Sequence, residues 1–60
     1  QSAAAHNNLA QTLADLDRYE EALAEARVAV GLGGPLADTS IRTLDAIVKR
    51  TGRGEQEWNK

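Results

Sequence analysis

Cysteine is absent from the 60 residues, so no disulfide can brace the fold and no thiolate can act as nucleophile or metal ligand. Methionine and phenylalanine are absent as well, and the aromatic side chains are only Tyr19 and Trp58. A core must therefore come from Leu, Val, Ile and eleven alanines, which suits close-packed helices and leaves no room for a large ligand cavity. Histidine occurs once, as His6, so a His/Cys metal site cannot be assembled. No apolar run approaches the ~20 residues that would cross a bilayer. The opening Gln1-Ser2-Ala3 lacks the basic flank of a secretory signal and lacks an initiating Met, so a piece of a longer protein is expected. Positive charge is not in excess either. The formal net charge is −2 and the pI about 5.2, which argues against a nucleic-acid binder.

What is present reads as helix throughout. Leu9, Leu13 and Leu16 recur every three or four residues, with Ala3, His6 and Ala10 beside them, and predict a helix over 2–16. Asp17 followed by Glu20 has the spacing of a capping box, so a second helix is expected from residue 18. Tyr19, Leu23, Ala26 and Val30 mark its apolar side, flanked by Ala22 and Ala29. Gly31, Gly33, Gly34 and Pro35 should end it near residue 31. Ile41, Leu44, Ile47 and Val48 define a third helix over 36–51, with Gly52 as its stop and a short fourth helix near 54–59. No segment alternates apolar and polar residues as a half-buried strand would. The expected buried set is Leu9, Ala10, Leu13, Tyr19, Ala22, Leu23, Ala26, Ala29, Leu44, Ile47 and Val48.

A shift of 35 residues superimposes the chain on itself. His6 falls on Ile41, Leu9 on Leu44, Leu13 on Val48, and Leu23 on Trp58. Asn7-Asn8-Leu9-Ala10, six intervening residues, then Arg18-Tyr19-Glu20-Glu21-Ala22-Leu23 strongly resembles a tetratricopeptide repeat, a unit of about 34 residues. The resemblance places Leu9 and Ala10 at the family's Leu and small-residue positions. Tyr19 stands at its second-helix aromatic, and Ala22 and Ala29 at its small packing positions. Residues 3–36 form the full repeat and 38–60 a partial or capping one. In the second unit Asp45, Gly54 and Glu57 depart from the pattern. The implied fold is all-α: antiparallel helix-turn-helix units, a fragment of an α-solenoid in one domain over 1–60.

The resemblance also implies a function, a protein-interaction module or scaffold that receives a peptide or helix on a concave face lined by first helices. On that face it places Asn7, Asn8, Gln11, Arg42, Lys49 and Arg50. Asn and Gln can grip a peptide backbone through both donors and acceptors, and the cations would select acidic side chains or a C-terminal carboxylate. The family's carboxylate clamp is not supported, because Asn7 stands at its Lys position and Gln11 at its Asn position. The alternative is a C-terminal spacer or dimerisation segment of a larger protein, an enzyme included. Homo-oligomers through incomplete repeat ends are a further expectation, and the cytoplasm is the default compartment.

Enzyme chemistry has no sequence support. Gly31-Leu32-Gly33-Gly34 follows no strand, and no Gly-Lys-Ser/Thr forms a phosphate loop. The adjacent Glu20 and Glu21 suit a helix start, where the dipole favours them, better than a catalytic cleft. No catalytic residue, cofactor or metal is expected. His6 reads as a packed helix residue. Residues 1–35 carry a net −3 and residues 36–60 a net +1, so the basic groups Arg42, Lys49, Arg50 and Arg53 gather in the second unit.

Overall fold

The computed structural model describes residues 2–52. Three α-helices follow one another, α1 (Ala3–Asp15), α2 (Tyr19–Leu32) and α3 (Ala37–Thr51), with a 3-10 turn (Gly34–Leu36) leading into α3. The described residues contain no strand, and the fold is all-α. The expected fourth helix and the placement of Trp58 lie outside the described residues.

Ser2 caps α1 by accepting a hydrogen bond from the Ala5 amide at 3.2 Å. The helix closes with paired bonds, Arg18 N–H to the Leu13 carbonyl and Asp17 N–H to the Ala14 carbonyl. This is a Schellman closure, and it requires a left-handed residue at Asp17, whose φ is 63°. Asp17 therefore ends α1 and does not cap α2, contrary to the capping-box reading. Arg18 occupies the N-cap of α2 without a side-chain capping bond, and the Asp17 carboxylate accepts from the Tyr19 hydroxyl instead. A D-x-x-E spacing fits either use, and the three-residue connection leaves Asp17 only the left-handed one. Gly52 stops α3 at φ 69°. The two stops are 35 residues apart in sequence and share a positive φ.

At its other end α2 runs through Gly31 to Leu32 before Gly33 turns it, slightly later than the glycine run suggested. The ring of Pro35 sits in the first turn of the 3-10 segment, where its missing N–H costs nothing.

Packing rests on small side chains. Ala10, Ala22, Ala26 and Ala29 are fully buried and Ala14 nearly so, joined by Leu13, Leu23 and Ile47. Alanines along the α1–α2 seam let the helix axes approach, so contact is made by backbone-near atoms in place of long side chains. Tyr19, Leu44 and Val48 lie half-buried at the margin. Leu9 corrects the expected core: it is 44% exposed. His6 contacts Glu25 of α2, and Leu9 lies some 60° around the helix from it, beyond the seam. Ile41, counted with the apolar face of α3, is 51% exposed for a similar reason. In their place α3 buries Ser40 and Thr43, and α1 buries Asn7.

Candidate functional site

The register of the helices fixes two sides of α1. His6 Nδ1 donates to Glu25 Oε1 at 2.6 Å, so that side faces α2. The stripe Asn7, Gln11, Ala14 lies further round and faces α3. On α3 the stripe Thr43, Ala46, Ile47, Arg50 faces α1. Between these stripes opens a cleft of about 240 Å³, lined by Gln11, Ala14, Asp15, Thr43, Ala46, Ile47 and Arg50. Its floor is aliphatic (Ala14, Ala46, Ile47), and its rim carries an amide, a carboxylate, a hydroxyl and a guanidinium.

Arg50 closes one end. One guanidinium nitrogen reaches the Ala14 carbonyl at 3.3 Å and the other reaches Asp15 Oδ1 at 3.4 Å. Its Cζ stands 5.6 Å from the centre of the Tyr19 ring, within cation–π range. Arg50 thus ties the last turn of α3 to the α1–α2 connection. The bonds to Asp15 and Ala14 are long and the carboxylate side chain is largely exposed, so each contributes little. The guanidinium is positioned without being saturated.

The six residues expected to bind peptide divide into three groups. Gln11 and Arg50 line the cleft. Asn8, Arg42 and Lys49 are exposed outside that lining, and Lys49 pairs with Asp45 one turn away at 3.1 Å. By helical register all three fall on the α1/α3 side that points away from α2. Asn7 is 6% exposed and lies in the α1–α3 seam, its Oδ1 buried without a hydrogen-bond partner among the described residues. Thr43 and Asp15 were not anticipated as cleft residues. The spacing Thr43-Ala46-Ile47-Arg50 would have revealed the first, since those positions form one stripe with the expected Arg50. Asp15 lies one turn beyond Gln11 on the same face.

Compared with protein-family models, with curated proteins and with solved structures, the chain matches none.

Proposed function

We propose that the chain is a protein-interaction module of the tetratricopeptide type, taking a peptide or helix with acidic groups on its α1/α3 side. The observation that carries this reading is the open cleft between α1 and α3, the helices that correspond under the 35-residue shift. An aliphatic floor can accept an apolar side chain, and Gln11 on its rim can pair with a peptide N–H or C=O. A ligand carboxylate can replace Asp15 as the partner of Arg50, exchanging a long contact for a bidentate one. Arg42 and Lys49 extend positive charge along the same side. Protein binding and a scaffold role follow from this reading together.

Titration of acidic and basic peptide pools against the wild type, an Arg50→Ala variant and an Arg42→Ala/Lys49→Ala double variant tests it. The acidic pool should bind more tightly. Since exposed ion pairs contribute roughly 0.2–1 kcal/mol each, the double variant should weaken that binding by about 2- to 30-fold. Equal binding of both pools, or no effect in either variant, would overturn the assignment of this face.

A further inference from the structure

The solvent side of α3 carries two parallel rows. Ala37, Ile41, Leu44 and Val48 recur at helical spacing and form an apolar row. Ile41 is 51% exposed, and Ala37, Leu44 and Val48 are half-buried. Asp38, Arg42, Asp45 and Lys49 repeat the same spacing one position on, and all are exposed. Their signs alternate strictly along the helix, negative then positive, twice over. By helical register α2 sets Arg27 and Glu20 along the other border of the apolar row, again one charge of each sign. Both margins of this face are therefore charged, and each is neutral in sum. Within the charged row Lys49 bonds Asp45 at 3.1 Å. Their side chains stay 72% and 61% exposed, so that pair contributes little and leaves each able to take a second partner.

We infer that α3 pairs with α3 of a second copy of the chain, antiparallel about a two-fold axis at the level between Thr43 and Leu44. An antiparallel two-fold keeps the charged rows of both copies on one flank of the contact, where they face each other. This axis sets Asp38 beside Lys49 of the second copy and Arg42 beside its Asp45, and symmetry repeats both pairs. It also sets Leu44 beside Leu44 and Ile41 beside Val48, each level to within ~3 Å. Other registers fail. Sliding the second copy by one turn sets Arg42 beside Arg42 and Asp38 beside Asp45. Sliding it the other way sets Arg42 beside Lys49 and Asp45 beside Asp45. Like charges placed so repel, so the row accepts its own copy in one register, as flanking charges do between paired helices. Charge complementarity thus names a second copy as the occupant of the apolar row.

A helix the length of α3 spans only ~22 Å, so the pairing is weak and concentration-dependent, and exposed ion pairs make it sensitive to salt. Sedimentation equilibrium of the full 60-residue chain at low salt, up to ~1 mM, should show the mass rising from 6.4 kDa towards twice that value. Two charge variants test the register, Asp38→Lys/Asp45→Lys and Arg42→Glu/Lys49→Glu, with helicity checked by circular dichroism. Each alone sets like charges opposite one another and should weaken self-association at least ~10-fold. Mixed in equal amounts, the two should form a heterodimer at least as tight as the wild-type dimer. Ile41→Lys should weaken every combination. Charge variants that dimerise as the wild type does, or a mixture no tighter than its components, would overturn the inference. So would growth past a dimer, because a two-fold contact closes. A wild type monomeric throughout would overturn it too, and a melting temperature lowered by Ile41→Lys would then give the apolar row to residues 53–60 of the same chain. Asp38→Lys/Asp45→Lys keeps both Arg42 and Lys49, so it should lose the dimer and retain acidic-peptide binding, which separates failure of this inference from failure of the proposed function.

Discussion

Replacing Ser40 by Ala should stabilise the protein, although Ser40 is fully buried. Its Oγ has no hydrogen-bond partner among the described residues. A hydroxyl in that position loses its bonds to water on folding and gains none, a penalty of about 1–3 kcal/mol. Alanine removes that penalty and is the better helix former in the interior of α3 by about 0.5 kcal/mol. Against this, the departing oxygen gives up a few dispersion contacts of ~0.1–0.2 kcal/mol each. The balance is a gain of roughly 1–2 kcal/mol. In a domain this small each kcal/mol moves Tm by about 4–8 °C, so the midpoint should rise by about 5–15 °C. Urea titration followed by circular dichroism gives the same quantity independently. The midpoint should rise with an unchanged m-value, because the surface exposed on unfolding barely changes. A fall in Tm in Ser40→Ala would refute the reasoning. The hydroxyl would then be bonded in the folded state, and its burial would be a contribution to stability.

Asp17→Gly should stabilise the chain by ~0.5–1 kcal/mol, because its φ of 63° is strained for a side-chain-bearing residue and free for glycine. Loss of the bond from the Tyr19 hydroxyl offsets part of this, and Asp17→Asn should behave neutrally. Urea midpoints for the three chains check the order. Ala22→Leu should destabilise by about 1–3 kcal/mol, since Ala22 is fully buried where the α1 and α2 axes approach. An unchanged melting temperature in that variant would mean the hairpin is not close-packed at Ala22.

The helices and their alanine seam were legible in the sequence because composition left few other ways to build a core. Ala22, Ala26 and Ala29 can be buried together only on one side of a helix. Gly52 was legible as a stop because a left-handed residue is needed there and glycine takes that conformation freely. Asp17 was not, since its side chain can cap a following helix while its backbone ends the preceding one. Leu9 and Ile41 show what periodicity omits: it gives the direction of an apolar face but not how much of its width a neighbour covers. Ser40, Thr43 and Asn7 were missed as buried residues because polar type points to solvent, whereas which face of a helix meets its neighbours decides the matter. Of the cleft, Gln11 and Arg50 followed from the resemblance to the repeat family. The direction of Asn7 depended on the angle at which those helices meet, which no residue pattern states.

The alanine seam sets the thermal character of the fold as well as its geometry. Heat capacity rises on unfolding chiefly with the apolar area that becomes wet, and a buried methyl exposes far less than a buried isobutyl group. Among the described residues the side chains buried in full are Ala10, Ala22, Ala26, Ala29 and Ser40, none larger than a serine. The enthalpy of unfolding should therefore vary weakly with temperature, and the stability curve should be shallow. Such a chain melts over a broad interval and changes little in stability on cooling. A small heat-capacity increment keeps the temperature of cold denaturation far below the range in which the folded state is populated.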